Sequence, residues 1–172
     1  MAISQKLLQS VSQSYRPGMC KRSSDSLALS SEQRQTAFLC HSHHDVELVK
    51  GLLVYFDYLK VNLYIDWLDE EMPEIPNRIT AEKIQNKIKN ADLFFFLATE
   101  KSRTSRWCPW EIGYADGNER NIYIIPTKTG EKTIGNEYLQ LYKHLDVSYT
   151  TDLYNRCRLA KFDANGQWIG YF

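Results

Sequence analysis

The sequence has no long hydrophobic run and no excess of charge of either sign. Its longest apolar stretch, Leu93–Ala98, is far shorter than the roughly 18 to 20 residues that cross a bilayer. Lysine and arginine together number 21, and so do aspartate and glutamate, so the net charge is near zero. A balanced charge gives no general attraction to nucleic acid or to an anionic membrane. We therefore expect neither of these as a partner.

Paired cysteines and a targeting segment are also missing. The four cysteines lie far apart and form no C-x-x-C pair, which is typical of reduced thiols in a cytosolic protein. The first 35 residues contain no continuous apolar segment of the kind found in secretory signals. A cytoplasmic location is the expectation that follows.

No glycine-rich phosphate-binding loop occurs. Neither G-x-G-x-x-G nor G-x-x-x-x-G-K-[ST] is present. Since these loops hold the phosphates in dinucleotide dehydrogenases and in P-loop NTPases, both enzyme classes lose most of their support.

What is present is enough apolar sequence for one folded domain. The chain has 172 residues, of which 43% are hydrophobic, so a sizeable core can form. Residues 1–35 are rich in serine and glutamine, and we expect an extension or linker there that the fold does not need. Docking through Leu7, Leu8 and Val11 is the alternative. A short helix is predicted within it at about Ile3–Val11. The domain itself is expected to span residues 36–172.

Strands and helices alternate from residue 36 onward. Short apolar segments predict strands, and apolar residues spaced three and four apart predict the helices between them. The strands are expected at 37–40, 61–65, 93–97 and 122–125, and the helices at 45–60, 77–89 and 107–118. This alternation predicts right-handed crossovers and an α/β fold with a doubly wound parallel sheet.

The tail after Gly130 gives weaker signals. Residues 138–144 predict a further helix. Residues 158–172 predict a β-hairpin, with its turn at Asp163-Ala164-Asn165-Gly166.

The predicted strands bring four loops to one edge of the sheet. Ligands of an open α/β sheet bind beyond the carboxyl ends of its strands. The segments expected at that edge are 40–45, 66–71, 99–106 and the loop after Pro126.

Four motifs in the right order resemble the TIR (Toll/interleukin-1 receptor) domain family. The segment 38–45 (FLCHSHHD) resembles the opening strand and turn, and 63–66 (LYID) resembles the strand that enters the BB loop. The segment 91–97 (ADLFFFL) is similar to the central strand, and 105–111 (SRWCPWE) to the start of the αC helix. The resemblance covers residues 36–128 and implies a flavodoxin-like fold. The tail beyond it fits the family's last strand and helix poorly.

The resemblance also implies an activity. In enzymatic TIR domains the αC glutamate is catalytic, and that role carries over to Glu111. Cleavage of the nicotinamide–ribose bond of NAD⁺ builds positive charge on the ribose, which a carboxylate stabilises. The nicotinamide is already cationic in NAD⁺, so no general acid is needed. We therefore expect an NAD⁺ glycohydrolase or ADP-ribose cyclase, with NAD⁺ as substrate and no cofactor. Similarity to prokaryotic TIR proteins of antiphage defence implies that the product signals to a separate effector.

The other candidate residues each have a structural alternative. We expect Ser42, Asp66, Trp67 and Trp107 to contact the substrate. Ser42 could equally be an ordinary loop residue, and Asp66 could bind ribose hydroxyls or pin the BB loop. Trp67 could stack on adenine or nicotinamide or simply be half-buried, and Trp107 could pack against its own helix.

The opening turn allows two further interpretations. Asp45 is predicted as a helix N-cap. Cys40, His41, His43 and His44 suggest a metal site, but no second cluster of ligands completes a tetrahedral set. We therefore expect no metal.

Two other functions remain open. A non-enzymatic TIR adaptor would assemble through its BB loop and αC face, and Glu111 would then be an exposed acid favoured by the helix dipole. A nucleoside deoxyribosyltransferase-like enzyme also has a flavodoxin-like sheet and a catalytic glutamate, but it needs a nucleophile at a strand end, and the sequence offers no clear one.

Charge also predicts self-association. The BB loop is acidic and the segment before αC is basic, so a head-to-tail contact between copies would be attractive. The residues concerned are Asp69, Glu70, Glu71 and Glu74 in the loop, and Lys101, Arg103 and Arg106 before the helix. Two solvated faces of a monomer are the alternative.

Overall fold

A mostly parallel β-sheet forms the centre of the domain. The structure is a computed structural model, and it describes residues 2–17, 34–73, 75, 77–151 and 157–172. The strands are β1 (Ile3–Ser4), β2 (Gln35–Cys40), β3 (Val61–Tyr64), β4 (Leu93–Ala98), β5 (Ile122–Thr129), β6 (Lys132–Ile134), β7 (Lys143–Thr151), β8 (Cys157–Phe162) and β9 (Trp168–Tyr171). The helices are α1 (Gln5–Ser12), α2 (Val46–Tyr58), α3 (Arg78–Asn90), α4 (Glu100–Arg103) and α5 (Cys108–Gly117). None of the helices in this described part combines the length and apolar character that a membrane crossing requires.

The strand order is that of a flavodoxin-like sheet. Parallel strands lie in the order β3-β2-β4-β5-β7, and β8 and β9 continue the sheet in antiparallel pairing. Numbered along the chain, the parallel strands have the order 2-1-3-4-5 of the doubly wound flavodoxin type. This confirms the expected fold class, and most of the predicted strands and helices between residues 37 and 125 lie close to their observed bounds. The exception is the strand predicted at 122–125: β5 continues through Pro126 to Thr129, so the loop expected directly after Pro126 is wrong, because Pro126 and Thr127 pair with neighbouring strands.

Both faces of the sheet are covered, which explains the unbroken apolar sequence of β4. Leu93, Phe95 and Leu97 pack on the face that carries α1 and α2. Their neighbours Phe94 and Phe96 pack on the opposite face, beside α3 and α5. Since alternate side chains of a strand point to opposite faces, a strand buried on both has no polar position.

The tail differs from the sequence prediction in one element. The helix predicted at 138–144 is wrong, because only a 3₁₀ turn forms at Asn136–Tyr138 and β7 begins at Lys143. Tyr138 and Tyr142 are spaced like a helical stripe, yet Tyr138 packs against the α3 and α5 face from the 3₁₀ turn and Tyr142 from the irregular chain after it. The C-terminal hairpin is confirmed as the antiparallel pair β8–β9.

The N-terminal segment packs into the domain rather than extending from it. Ile3 and Leu8 are 1% and 0% exposed, and both belong to the core on the α2 face. Gly51 of α2 allows this close packing, because a β-carbon there would lie 2.2 Å from the Leu8 carbonyl oxygen. The predicted helix is confirmed as α1, but its packing differs from the expected extension, since Leu8 is fully buried and Leu7 and Val11 are half-buried. The rest of that predicted extension, residues 18–33, lies outside the described residues.

A chain of hydrogen bonds links this segment to the end of β4. β1 pairs in parallel with the last residues of β5. Gln5 Nε2 donates to Thr127 Oγ1 at 2.9 Å, and Thr127 Oγ1 donates to the Ala98 carbonyl oxygen at 2.6 Å. Ala98 is the last residue of β4, so the N-terminal helix contacts the edge of the sheet where ligands are expected.

Candidate active site

The candidate site lies beyond the carboxyl ends of β2, β3 and β4, beside the first turn of α5. The winding of the chain reverses between β2 and β4, and ligands of this fold bind at such a switch point. One hydrogen bond crosses the crevice there: Thr99 Oγ1 donates to Asp45 Oδ2 at 2.5 Å. Both side chains are buried, so the loops after β2 and β4 are fixed to each other.

Asp45 occupies the N-cap position of α2 without the predicted capping role. Its side chain makes no hydrogen bond to the helix backbone. Besides the bond from Thr99, its Oδ1 lies 3.7 Å from Lys101 Nζ. The capping prediction is therefore wrong, because the carboxylate is committed to the loop after β4.

Ser42 has a local structural role. It is 5% exposed, and its hydroxyl oxygen accepts a hydrogen bond of 3.3 Å from the His44 backbone N–H. Ser42 thus caps the 3₁₀ turn His43–Asp45. Its contact with substrate stays a prediction.

Glu111 lies in the first turn of α5 and is only 5% exposed. The turn forms because the Ser105 hydroxyl accepts hydrogen bonds from the backbone N–H groups of Trp107 and Cys108, and because Pro109 suits this position. The alternative in which Glu111 is merely an exposed acid at a helix start is therefore wrong, because its side chain is buried.

The surroundings of Glu111 raise the pKa of its carboxyl group far above the usual value. Burial raises its pKa to about 8, and the nearby charge of Asp66 acts in the same direction. The neighbouring Cys40 side chain and the charge of His43 oppose this rise in pKa. The carboxyl is consequently protonated for the most part at pH 7. A buried carboxyl with such a pKa, placed in a crevice, is typical of functional sites.

Two cysteines lie beside Glu111, and both are free thiols. Cys40 ends β2, is fully buried, and donates a weak hydrogen bond of 3.8 Å to the Cys108 carbonyl oxygen. Burial raises the pKa of Cys40 well above its usual value, so this thiol stays neutral.

Asp66 is held by its neighbours from two directions. Its Oδ1 accepts a hydrogen bond of 2.8 Å from the Trp67 backbone N–H, and its Oδ2 lies 2.6 Å from His43 Nε2. This hydrogen bond to Asp66 raises the pKa of His43. Burial opposes ionisation of Asp66, yet the net pKa of Asp66 is lowered because His43 and His41 favour the carboxylate. Asp66 and His43 thus form a hydrogen-bonded pair beside the site.

The two candidate tryptophans are both half-buried. Trp67 donates from its indole Nε1 to His41 Nε2 at 2.7 Å and packs against the core on the α2 face. Trp107 meets Trp110 edge to face, with ring centroids 5.4 Å apart. These contacts are the structural roles that the sequence allowed, and stacking on a substrate stays a prediction.

The histidines of the opening turn do not form a metal-ligating group. Within residues 2–17, 34–73, 75, 77–151 and 157–172, no cluster of three or more potential metal ligands occurs. His41 uses both ring nitrogens in hydrogen bonds to protein atoms.

Sequence reasoning missed His41 and Thr99 as organising residues. Each directly follows an apolar strand that ends at the ligand edge, and that position is a signal that could have singled them out. Their partners, Trp67 and Asp45, lie 26 and 54 residues away, and no sequence pattern indicates those pairings.

Comparison with known proteins places most of the chain in one family. Residues 37–159 match the TIR domain. ThsB′ of Bacillus cereus strain MSX-D12, provisionally named a 3′ cyclic ADP-D-ribose synthase, is 31% identical over 113 residues, which cover 63% of this chain and 58% of that protein. TIR2 of Cytobacillus dafuensis, provisionally named a cyclic ADP-D-ribose synthase, is 23% identical over 119 residues, which cover 67% of this chain and 31% of that protein. The chain thus aligns with less than two thirds of the length of either relative.

Proposed function

This chain belongs to the TIR domain family, and from that membership we propose that it cleaves NAD⁺ between nicotinamide and ribose, with Glu111 as the catalytic carboxylate. The observation that carries the proposal is the burial of Glu111 at the ligand edge of the sheet, with a pKa raised to about 8. Keeping a carboxyl group in such a place costs stability, and an adaptor that only binds other proteins would not need it.

The proposed reaction moves one positive charge. As the bond between the ribose C1′ and the nicotinamide nitrogen breaks, its electron pair goes to the nicotinamide, which becomes neutral. The positive charge develops on the ribose, where an ionised Glu111 stabilises it. A nucleophile then forms a bond to C1′ and releases a proton. Water gives linear ADP-ribose, and a group of the same ADP-ribose gives a cyclic isomer.

The raised pKa couples substrate binding to ionisation. In the free protein the Glu111 carboxyl is largely protonated at pH 7, because its pKa is about 8. A cationic nicotinamide ring beside it favours the carboxylate and lowers its pKa. Binding of NAD⁺ therefore releases a proton from Glu111. The carboxylate form of Glu111 is thus favoured by the bound cation that balances its charge.

The names of the relatives support a cyclic product. Both relatives are provisionally named as synthases of a cyclic ADP-D-ribose. We propose that this chain also makes a cyclic ADP-ribose isomer in the cytoplasm, as a signal to a separate effector in antiphage defence.

The decisive experiment is incubation of the purified protein with NAD⁺, followed by chromatography and mass measurement of the products. We expect release of nicotinamide together with a cyclic or linear ADP-ribose. Glu111→Gln should lower the rate by a factor of about 10² to 10³. Glu82→Gln is the matched control, because Glu82 is an exposed helical glutamate paired with Arg78, and its rate should stay unchanged. A Glu111→Gln protein that is folded and fully active would refute the assignment.

We further propose that copies associate through the loop that begins at Trp67 and the segment before α5. Several charges on these surfaces already have partners in the same chain. Asp69 accepts a hydrogen bond of 2.7 Å from the Tyr64 hydroxyl, and Glu71 lies 3.3 Å from Lys83. Arg103 lies 3.4 Å from Glu100. A contact between copies would therefore exchange existing ion pairs for new ones, which reduces the gain from charge.

A further inference from the structure

His41 follows β2 directly, and its buried ring has a partner at each nitrogen. Nδ1 lies 2.9 Å from the Leu39 carbonyl oxygen, and Nε2 lies 2.7 Å from the indole nitrogen of Trp67. A carbonyl oxygen only accepts hydrogen bonds, whereas an indole N–H only donates them. His41 therefore carries its proton on Nδ1 and offers a lone pair to Trp67 from Nε2.

Only the neutral ring can fill this role. A proton on Nε2 would point an N–H group at the indole N–H, so two donors would face each other. Burial lowers the pKa of His41, and the charge of His43 acts in the same direction, whereas Asp66 and Asp45 oppose them. The net effect keeps the ring neutral at pH 7, with the lone pair available to Trp67.

Trp67 is held at its backbone as well as at its side chain. Its backbone N–H donates to Asp66 Oδ1 at 2.8 Å, while His43 holds the other oxygen of that carboxylate. The charge of Asp66 raises the pKa of Glu111, which means that the carboxylate lies within electrostatic reach of Glu111. The Trp67 indole is thus held next to Asp66, whose charge acts on the proposed catalytic carboxyl of Glu111.

We infer that His41 is a positioning residue for NAD⁺ turnover, and that it acts by holding the Trp67 indole in the orientation that receives a flat ring of the substrate. The inference rests on the proposed function, which supplies the substrate. Trp67 is half-buried, so part of the indole remains accessible. An indole that is already ordered loses less freedom when a ring stacks on it. Loss of the acceptor at Nε2 should therefore weaken NAD⁺ binding more than it slows bond cleavage.

The test compares His41→Leu and His41→Gln, alone and combined with Trp67→Phe. Leucine removes the acceptor, whereas glutamine restores a side-chain oxygen in about the place of Nε2. His44→Leu is the matched control, because His44 is an exposed histidine of the same turn and its ring makes no contact with Trp67 in the described structure. The first measurement needs no substrate: hydrogen exchange of the indole N–H groups, with the Trp67 signal assigned from its absence in Trp67→Phe. We expect exchange at Trp67 to be about tenfold faster in His41→Leu and close to normal in His41→Gln and His44→Leu.

The second measurement is the kinetics of nicotinamide release. We expect His41→Leu to raise KM for NAD⁺ about tenfold, with a much smaller change in kcat and partial recovery in His41→Gln. In Trp67→Phe, the added His41→Leu should have no further effect on KM, because both changes act through one indole.

Independent effects of the two substitutions, or unchanged exchange at Trp67 in His41→Leu, would overturn the inference. A wild-type protein that releases no nicotinamide would refute the proposed function instead, and the exchange rates would still decide whether His41 holds Trp67. If His41→Leu does not fold, His41→Phe, which keeps a flat ring but has no acceptor, provides the same comparison.

Discussion

The Thr99 hydroxyl donates a hydrogen bond of 2.5 Å to the buried carboxylate of Asp45, across the crevice between the ends of two neighbouring strands. The same hydroxyl accepts a hydrogen bond of 3.0 Å from the Ser102 backbone N–H at the start of α4. One side chain thus joins the loop after β2 to the loop after β4 and caps a helix as well.

Replacement of Thr99 by valine should destabilise the protein by about 1 to 3 kcal/mol. Valine has nearly the same shape, but it leaves the buried carboxylate of Asp45 without this donor. Urea unfolding followed by circular dichroism measures the loss. Thr99→Ser keeps the hydroxyl and should lose much less. Equal stability of the serine and valine variants would show that the hydrogen bond contributes nothing.

The stability conferred by Glu111 should depend on pH. Its pKa is raised from 4.5 to about 8 in the folded protein, so the folded state keeps a proton that the unfolded chain releases. The contribution of this retained proton to the free energy of unfolding is present in full below pH 4.5, and it is lost as the pH rises through the folded pKa of about 8. The free energy of unfolding of wild type should fall relative to that of Glu111→Gln by up to about 1.4 kcal/mol per pH unit in this window. Denaturant titrations of both proteins at pH 5, 6.5 and 8 measure the difference. A constant difference would contradict the raised pKa.

Turnover of NAD⁺ should rise with pH. Since kcat/KM reports ionisation in the free enzyme, it should rise through about pH 8, where half of the Glu111 carboxyl is ionised, and level off above that pH. The cationic substrate lowers that pKa in the complex, so kcat should reach its plateau at a lower pH than kcat/KM. His43→Gln distinguishes the two groups: it removes the nearby imidazole, so the rise should persist but move to higher pH, because the charge of His43 no longer lowers the pKa of Glu111. A kcat/KM already constant from pH 6 upward would argue against Glu111 as the titrating group.

Gly51→Ala should destabilise the protein by about 1 to 3 kcal/mol. The added methyl group would lie 2.2 Å from a backbone oxygen of α1, so the two helices must move apart. Gly113→Ala is the matched control, since nothing lies within 4 Å of a β-carbon at that helical position. The control should gain up to about 1 kcal/mol from helix propensity. Thermal and urea unfolding measure whether each variant is less or more stable than wild type. A Gly51→Ala protein as stable as wild type would mean that α1 does not pack closely on α2.

If the site is completed between copies, turnover per subunit should rise with protein concentration. Dilution over a hundredfold range tests this, with mass measured by light scattering at each concentration. Reversal of Glu70 and Glu71 to lysine should weaken the contact, and additional reversal of Arg103 and Arg106 should partly restore it. Constant turnover per subunit over the whole range would show that one chain is sufficient.

The sequence predicts those parts of the fold whose signals are local. The apolar run at Leu93–Ala98 indicates a buried strand by itself, and the spacing within Val46–Tyr58 indicates a helix by itself. The helix prediction at 138–144 is wrong because Tyr138 and Tyr142 have that spacing while they pack from a 3₁₀ turn and from the irregular chain after it. Local periodicity cannot distinguish these two arrangements.

The site is predicted only as far as strand order determines it. The switch point brings the loops after β2, β3 and β4 to one edge, and Glu111 is found there as expected. The partners within the site are not predictable in the same way. The pairing of His41 with Trp67 depends on a hydrogen bond between loops that are distant in sequence. The burial of Leu8 likewise depends on the missing side chain of Gly51, 43 residues further along.

The packing of α1 against Gly51 sets a limit on domain transplantation. The segment that matches the family begins at residue 37, yet part of the core on the α2 face comes from Ile3 and Leu8. A chimera that grafts only residues 37–159 into another protein would leave a groove beside Gly51 open to water and would remove Gln5 from Thr127. Such a graft would need either the first seventeen residues or an apolar replacement for them, supplied from elsewhere in the recipient.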